Sequence, residues 1–431
     1  MEKRKTVFLI GSGGREHAMA WKISQSPHLE KLYAFPGNDG IAALEKAECL
    51  TGNILSAADD IKPDLIIIGP EQPLAEGLTD QLEEKGFAVF GPSQYAAQLE
   101  SSKVFSKNFM VKNNIPTAKH VDCKNYDAAL DALENWNDTK GFVIKADALA
   151  AGKGVVVTDD REEARKTIHD FMVNPDCTVQ TEKILIEEKL TGKEVSAFAV
   201  CDGKDFLTLG YACDYKRAFT GDLGPNTGGM GGYVPENWPS DTVKTFVEKN
   251  IFQKTLDGMA AEGHPFKGIL FAGLMVDGDD VNVIEFNVRL GDPETQMLLP
   301  LIKDDLLTVF ELASQEKLET FGKNKLDLYQ GTAVHVVLAS EGYPSTDGTP
   351  LTLGSAITIP NDYLNNSMND NQPVVFLAGA KQDNQTWVNS GGRVLGVTAI
   401  GETVETARQK AYDALKDISF HGAHWRDDIG Q

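Results

Sequence analysis

The segment Lys145-Ala146-Asp147-Ala148-Leu149-Ala150-Ala151-Gly152-Lys153-Gly154-Val155 joins two short apolar runs, Phe142–Ala146 and Gly154–Thr158. Small residues fill its tip, which predicts a β-hairpin whose loop can close over a ligand. A P-loop would need Gly at position 147 and Ser or Thr at 154, and neither is present. Lys145 and Lys153 could neutralise phosphate groups, although a solvated hairpin tip would have the same composition.

A second stretch, Asp280-Val281-Asn282-Val283-Ile284-Glu285-Phe286-Asn287-Val288-Arg289, alternates apolar and polar residues. Side chains alternate faces along a strand, so Glu285, Asn287 and Arg289 share the face opposite the core. Oxygen ligands two residues apart suit Mg²⁺, and an adjacent arginine can hold a carboxylate or phosphate bidentately. An ordinary amphipathic strand is the alternative, and the following turn, Gly291-Asp292-Pro293-Glu294, favours a site.

Near the N-terminus, Gly11-Ser12-Gly13-Gly14-Arg15-Glu16-His17 follows an apolar run and opens a helix-like segment. Glycines permit close backbone approach, and a helix N-terminus offers N–H groups to an anion. The dinucleotide fingerprint requires Gly at position 16 and an acid after the second strand, where the chain has Pro36-Gly37-Asn38. NAD binding is therefore disfavoured. A phosphate-bearing ligand fits better, because Arg15 adds a cation, and a purely structural turn is the alternative.

Two further segments carry weaker signals. Ile186–Glu194 is an apolar strand ending in acids that could contact adenine and ribose, and an exposed strand end explains it equally well. Asp214–Arg217 is followed by the glycine-rich stretch Gly221–Gly231. This composition favours a mobile lid on a binding cleft over a plain surface loop.

Composition limits the function classes. The 431-residue chain predicts about three domains. A formal net charge of −22 argues against nucleic acid as a partner, which needs a basic face. No apolar run reaches the ~18 residues of a membrane span. Five scattered cysteines without CxxC spacing predict reduced thiols, so we expect a cytoplasmic protein without a membrane partner.

The chain divides into three patterns. Residues 1–100 alternate helix-like segments, Glu16–Ser24 and Leu74–Lys85, with four apolar runs, which predicts a parallel α/β sheet. The runs are Thr6–Ile10, Leu32–Phe35, Asp64–Ile68 and Phe87–Phe90. Residues 101–320 contain paired strands, typical of an antiparallel α+β unit. After about residue 325, strands and a helix near Val404–Ile418 form a third unit.

Taken together, the segments resemble the phosphoribosylamine–glycine ligase (glycinamide ribonucleotide synthetase) family of the ATP-grasp superfamily along essentially the whole chain. Each matching stretch is moderately specific, and their joint order and spacing are highly specific. The stretches are Gly11–His17, Pro70–Leu74, Ser102-Lys103, Ile115–Ala118, Lys145–Val155, Gly224–Gly231, Glu285–Gln296 and Gly391–Leu395.

This resemblance implies a multidomain α/β and α+β fold. Residues 1–101 would form a parallel-sheet (pre-ATP-grasp) domain on the phosphoribosylamine side. Residues 102–322 would form the ATP-grasp domain, with a nucleotide lid subdomain at 118–190, and residues 323–431 a small β-rich C-terminal domain.

The resemblance also implies a reaction of purine synthesis. ATP, glycine and 5-phosphoribosylamine would give ADP, phosphate and glycinamide ribonucleotide through glycyl phosphate, with Mg²⁺ or Mn²⁺ as metal. No protein nucleophile is needed, because positioning and charge neutralisation supply the catalysis. A transient contact with the enzyme that supplies phosphoribosylamine is also expected.

Residue roles follow from the same resemblance. Catalysis is expected from Lys145, Arg289 and Asp292, and metal binding from Glu285 and Asn287. The residues expected to bind ATP are Lys103, Lys145, Gly152, Lys153, Gly154, Glu187, Leu190 and Glu194. Those expected to bind the other substrates are Gly11, Gly13, Gly14, Arg15, Glu16, Asn226, Thr227, Gly228, Gly229, Met230 and Arg289.

Some positions depart from the family pattern. Ala148 stands where glycine is usual, and Cys213 and Tyr215 replace the usual Gln and His before Lys216. None of these removes an expected metal or phosphate ligand. Rival functions are another ATP-grasp carboxylate–amine ligase or a carboxylase with a different acceptor, a nucleotide-binding regulator without turnover, and a Rossmann oxidoreductase.

Overall fold

The computed structural model describes residues 3–137, 140–149, 154–323, 325–346, 348–364 and 372–431. Its N-terminal part is a parallel five-stranded sheet in the order β3-β2-β1-β4-β5. The strands are β1 (Lys5–Gly11), β2 (Leu29–Pro36), β3 (Ala47–Cys49), β4 (Leu65–Ile68) and β5 (Val89–Phe90). The connecting helices are α1 (Gly14–Ser24), α2 (Asp39–Ala42), α3 (Ile54–Ile61), α4 (Glu71–Ala75) and α5 (Leu78–Glu84).

The predicted parallel sheet is confirmed, with two local differences. Strand β3 is an addition, since its three residues are too few for a periodic signal. The single helix predicted over Leu74–Lys85 is wrong, because the chain turns at Gly77 (φ +80°) between α4 and α5.

A four-stranded antiparallel sheet follows the helices α6 (Gln98–Ser101) and α7 (Lys103–Lys112). Its order is β6-β9-β7-β8, and two helices pack on it. The elements are β6 (His120–Cys123), α8 (Tyr126–Glu134), β7 (Phe142–Ala146), β8 (Val155–Thr158), α9 (Arg161–Met172) and β9 (Ile184–Glu188). The pairing of β7 with β8 confirms the predicted hairpin.

Eight of the remaining strands build one sheet, β16-β15-β10-β11-β14-β17-β21-β18, and β12–β13 and β19–β20 form two separate two-stranded sheets. The first part of the eight-stranded sheet contains β10 (Lys193–Asp202), β11 (Phe206–Asp214), β14 (Gly231–Tyr233), β15 (Lys267–Asp277) and β16 (Asp280–Asn287). A separate hairpin, β12 (Arg217–Phe219) and β13 (Leu223–Asn226), precedes β14. Helices here are α10 (Asp241–Val247), a π-helix (Glu248–Phe252), α11 (Gln253–Ala261), α12 (Glu294–Leu298) and α13 (Leu306–Ser314).

The C-terminal part continues the same sheet, because β14 pairs with β17. Its elements are β17 (Thr332–Ala339), α14 (Asn361–Leu364), β18 (Val374–Leu377), β19 (Ala380–Asp383), β20 (Thr386–Asn389), β21 (Arg393–Gly401) and α15 (Val404–Leu415). Two short 3₁₀ helices, Leu299–Leu301 and Leu318–Phe321, lie before it. Within the described ranges no helix is long and apolar enough to cross a membrane.

Candidate active site

A cleft of about 720 Å³ lies where the N-terminal sheet, helix α7, the β7–β8 hairpin and strand β16 meet. The carboxyl ends of β1 and β4 and the turns that follow them contribute Gly11, Gly13 and Glu71 to its wall. Ligands bind at these carboxyl ends in open α/β sheets. In the predicted phosphate loop, Leu149 and Gly154 also line the cleft, while Gly152 and Lys153 lie outside the described residues.

Strand β16 presents Glu285 and Asn287 to the cleft, and Arg289, two residues past the end of the strand, lines it as well. The guanidinium of Arg289 lies 3.2 Å from Glu71 and 2.8 Å from Glu100, and it donates to Asn287 Oδ1 at 3.2 Å. Burial lowers the pKa of Arg289, but Glu100 and Glu71 outweigh it, so the pKa is raised overall. Arg289 is therefore a permanently charged group in a fixed orientation.

The Glu285 carboxylate is held ionised by its surroundings. Burial raises the pKa of Glu285, but the cations Lys216, Lys145 and Lys103 lower it more, and the pKa falls below its usual value. Together with Asn287, Glu285 supplies the hard oxygens that Mg²⁺ prefers. No group of three or more His, Cys, Asp or Glu suited to a metal occurs among the described residues. The donor set therefore fits an ion that takes its remaining ligands from phosphate and water.

Two lysines approach the phosphate loop from different elements. Lys103, the first residue of α7, donates to the Ala148 carbonyl at 3.0 Å. Lys145 on β7 donates to the Ile284 carbonyl at 2.9 Å and lies 3.0 Å from Glu187. Asp147 accepts from the Val104 amide at 3.2 Å, so the loop is also fastened to the start of α7. Lys103 and Lys145, both expected to bind ATP, line the cleft.

Only one of the three residues predicted to surround adenine and ribose, Glu187, lies in the lining of the cleft. Glu187 lines the cleft but is buried, with one carboxylate oxygen between Lys107 (3.1 Å) and Lys145. Leu190 and Glu194 are absent from the described residues that line the cleft. Glu194 touches the site indirectly, through an ion pair of 3.1 Å to Lys216.

The N-terminal loop binds its own carboxylates. The Gly13 amide donates to Glu16 at 2.7 Å, and the Arg15 guanidinium lies 2.6 Å from the same carboxylate. Gly11 adopts φ +123°, and a Cβ there would lie 2.5 Å from Glu16 Cγ, so only glycine admits this packing. The donors expected to meet a phosphate thus already have acceptors in this structure. Gly14 packs on Gln296 outside the cleft lining.

The predicted substrate loop is only partly in the cleft. Thr227 and Gly228 line it, whereas Asn226 is exposed at the end of β13. The substrate contact expected of Met230 is wrong: its side chain is 0% exposed, and its amide donates to the Tyr215 carbonyl. Met230 lies in the bend just before β14 and packs in the core, which a glycine-rich sequence does not reveal.

Arg393, on β21, closes the cleft from the C-terminal part. It donates to the main-chain carbonyls of Gly228 (3.0 Å) and Asp292 (2.7 Å) and lies 3.2 Å from the Asp292 carboxylate. Burial raises the pKa of Asp292, but Arg393 and Arg15 outweigh it, so the pKa is lowered. The Asp292 carboxylate therefore contacts Arg15 of the N-terminal loop, Gln296 of α12 and Arg393 of β21, and it holds these three parts of the chain in position.

Two acids face the cleft, the partly buried Asp214 from β11 and the buried Glu294 from α12. Glu294 is 5% exposed, and burial together with nearby Asp214 raises its pKa to about 7. The pKa of Asp214 is also raised by burial, against the effect of Lys216. A Cβ at Gly291 would lie 2.6 Å from the Glu294 carboxyl carbon, so glycine is needed for this placement. Paired carboxylates of this kind suit an ammonium or amine.

The sequence did not assign several charged residues that line the cleft. Lys107 follows Lys103 by four residues, so helical periodicity could have placed both on one face of α7. The others come from separate segments, and only the tertiary fold brings them together. They are Glu71, Glu100, Asp214, Lys216, Glu294 and Arg393.

The C-terminal residues fasten the β12–β13 hairpin that was expected to be a lid. Arg426 is buried and pairs with Asp222 at 2.7 Å and with Asp428 at 2.6 Å. Its guanidinium also lies 4.7 Å from the centre of the Tyr215 ring. The hairpin is thus anchored to the segment beside Asp214, rather than free of the fold.

Comparison with known proteins agrees with this geometry. Models of the phosphoribosylglycinamide synthetase N, ATP-grasp (A) and C domains match residues 5–100, 101–295 and 333–431. A phosphoribosylamine–glycine ligase of Clostridium acetobutylicum is 41% identical over 429 residues, 99% of each chain. That of Caulobacter vibrioides is 42% identical and covers 100% of this chain and 98% of its own. The chain belongs to the phosphoribosylamine–glycine ligase family.

Solved structures agree with this family assignment. The crystal structure of phosphoribosylamine–glycine ligase from Thermotoga maritima has a TM-score of 0.84 at 35% identity and covers 98% of this chain and 100% of its own. A biotin carboxylase domain of Hydrogenobacter thermophilus in complex with MgADP shares the fold, with a TM-score of 0.70 at 16% identity over 99% of this chain and 92% of its own. The ligase family is an ATP-grasp family, so the chain is an ATP-dependent carbon–nitrogen ligase.

Proposed function

We propose that this chain joins glycine to 5-phospho-D-ribosylamine, using ATP and releasing ADP and phosphate. The product is glycinamide ribonucleotide, in de novo purine synthesis. A relative of Pichia angusta, 40% identical, is called a bifunctional purine biosynthetic protein. The observation that carries the proposal is that one cleft holds two kinds of site: an ionised Glu285 whose charge is stabilised by three lysines, and the pair of acids Asp214 and Glu294.

The first step is transfer of a phosphoryl group. A carboxylate is a poor acyl donor, so a glycine carboxylate oxygen attacks the γ-phosphorus, the bond to the ADP oxygen breaks, and glycyl phosphate forms. Lys103 and Lys145 neutralise the phosphates. The other N–H groups of Arg289 are bonded to Glu71, Leu290, Asn287 and Glu100, so one N–H of Nη1 remains to donate to the reacting oxygens. Asp214 and Glu294 hold the glycine ammonium.

The metal residues fit the same step. Glu285 and Asn287 would hold Mg²⁺, with Mn²⁺ as a substitute, and the ion would supply charge neutralisation at the phosphate oxygens. Glu285 keeps its own charge because Lys216, Lys145 and Lys103 stabilise the ionised form.

The second step forms the amide. The ribosylamine nitrogen attacks the acyl carbon, the bond to the phosphate oxygen breaks, and the proton lost by nitrogen leaves with phosphate. The ribose 5-phosphate lies toward Gly11, Gly13 and Arg15, which line the cleft, and its binding requires that phosphate oxygens replace Glu16 as acceptors.

The proposal has a direct test. Purified protein is mixed with Mg-ATP, glycine and freshly generated phosphoribosylamine. ADP release is followed by a coupled assay, and the mass of the product is determined by mass spectrometry. ADP release that requires both substrates, with a product containing glycine and ribosylamine phosphate, supports the proposal. ADP release with another amine, and none with phosphoribosylamine, reassigns the acceptor.

The proposal extends to the setting of the reaction. Five free thiols support a reducing, cytoplasmic location. Transient contact with the enzyme that supplies phosphoribosylamine is part of the same proposal, and a stimulated rate with that enzyme present would test it.

A further inference from the structure

Glu100 enters the steps above only as one of the partners of Arg289. It lies on α6, it lines the cleft, and its side chain is only 8% exposed. Oε1 lies 2.8 Å from Nη2 of Arg289, and Oε2 accepts a hydrogen bond from the Val288 amide at 2.8 Å. Both oxygens of the carboxylate are therefore engaged, one by a side chain and one by the main chain of the preceding residue.

The surroundings of Glu100 make its charge costly. Burial raises the pKa of Glu100, and the opposing effects of Arg289 and the Val288 amide do not fully offset it. An enclosed ion pair is a weak source of stability, because apolar groups of similar volume commonly serve the fold equally well. We therefore look for the task of this carboxylate in the cleft that it lines.

The two contacts of Glu100 fix consecutive residues just beyond β16. The ladder between β15 and β16 stops at Asn287, and the Val288 amide donates to Glu100. A main-chain anchor and a side-chain anchor on one carboxylate restrict rotation of the guanidinium, and Nη2 also donates to Asn287 Oδ1 at 3.2 Å. Glu71, the other acid on Arg289, has a side chain that is 34% exposed, so Glu100 is the more enclosed of the two partners.

The turn that carries Glu100 also carries a lysine assigned to the phosphates. Lys103 follows Glu100 by three residues, and only Ser102 separates α6 from α7. Ser102 caps α7 and donates to Asp147 Oδ1 at 3.0 Å, so this turn is itself held in place. A short path of fixed backbone therefore connects Lys103 to Arg289 through Glu100.

We propose that Glu100 is a positioning residue for phosphoryl transfer: it holds Arg289 at a fixed distance from Lys103, so that the remaining Nη1 N–H meets the reacting oxygens. This inference rests on the proposed function for the part that these two cations play in that step. Glu100 itself touches no reacting atom. Charges that are fixed before the reaction stabilise its transition state best, and a misplacement of about 1 Å costs up to about 100-fold in rate.

The first test is Glu100→Gln. The amide keeps one oxygen acceptor for two donors, so either the Val288 amide or the Arg289 guanidinium loses its partner. We expect the kcat for ADP release to fall roughly 10- to 100-fold, while the KM for ATP stays within about twofold. Glu100→Asp keeps both acceptors on a shorter side chain and should recover part of the loss.

A double-mutant cycle with Arg289→Met separates positioning from a general effect on the fold. If Glu100 acts through Arg289, adding Glu100→Gln to Arg289→Met should lower kcat by less than about twofold further, because the group that Glu100 positions is gone. A purely structural role would lower kcat by the same factor in both backgrounds.

Glu262→Gln is the matched control. Glu262 also accepts from two donors, Lys112 at 2.6 Å and the Tyr95 hydroxyl at 3.0 Å, and its side chain is 15% exposed. None of these three is among the described residues that line the cleft. We expect wild-type kcat and KM from this variant.

Each outcome decides the inference. A folded Glu100→Gln protein with the wild-type kcat overturns it, and so does a loss of equal size in the Arg289→Met background. If Glu100→Gln does not fold, Glu100→Asp carries the same cycle and the same criterion applies. Failure of the proposed function is a separate result: a wild-type protein that releases ADP with a different amine reassigns the acceptor, and kcat is then compared with that amine.

Discussion

Substitution of Gly291 by alanine probes the assignment of Glu294 to the glycine ammonium. The added Cβ would lie 2.6 Å from the Glu294 carboxyl carbon and closer still to one oxygen. Ordinary carbon–carbon contact is ~3.5 Å, so the carboxylate must move by about 1 Å. A shift of that size in a positioned group costs up to about 100-fold in rate, and one lost charged hydrogen bond costs about 1.5–3 kcal/mol.

We therefore expect the KM for glycine to rise about 10- to 100-fold in Gly291→Ala. The dissociation constant of Mg-ATP should stay within about twofold, since Glu294 is not assigned to the nucleotide. ADP release against glycine concentration measures the first quantity, and fluorescent-nucleotide displacement measures the second.

Gly273→Ala is the matched control. Gly273 lies on β15 beside β16, and a Cβ there would make an ordinary contact of 3.5 Å with Glu285. Its KM for glycine should match that of the wild type. A folded Gly291→Ala protein with unchanged KM for glycine would refute the assignment of Glu294.

Three further predictions concern the same cleft and its support. Because burial and Asp214 raise the pKa of Glu294 to about 7, the carboxyl group is charged above that pH and neutral below it. The kcat/KM for glycine should therefore fall as the pH is lowered through 7. In Glu294→Gln this acidic decrease of kcat/KM should be absent. Glu285→Gln should lower Mg-dependent turnover by at least about 100-fold, measured as ADP release against Mg²⁺ concentration; full turnover would exclude Glu285 as a metal ligand. Arg426→Met should lower the free energy of unfolding by about 3 kcal/mol in urea, because Asp428 loses its buried partner; an unchanged denaturation midpoint would show that the C-terminal anchor contributes no stability.

The sequence predicts best where chemistry is local. Alternation along the sequence of β16 predicts that Glu285 and Asn287 share one face without knowledge of any partner. The β7–β8 hairpin is likewise readable from two apolar runs around a small-residue loop. These features depend on neighbours within a few residues.

The sequence predicts poorly where partners are distant. Glu187 on β9 is shared by Lys107 on α7 and Lys145 on β7, so its ion pairs join three elements that are distant in sequence. From the sequence alone, the acids at the end of this strand suggested a ribose site instead. The N-terminal loop looked free to bind an anion, but Glu16, three residues on, takes the Gly13 amide. Which acceptor a donor finds is decided by the packing of the chain.

The continuous eight-stranded sheet has a consequence for recombination of this protein with its relatives. The C-terminal part shares a backbone ladder with the rest through Gly231–Val336 and Tyr233–Val334. A chimaera that exchanges residues 333–431 must therefore preserve strand register across the join. The four-stranded sheet forms no ladder with the other described sheets, so exchanging its strands would leave the register of the eight-stranded sheet unchanged.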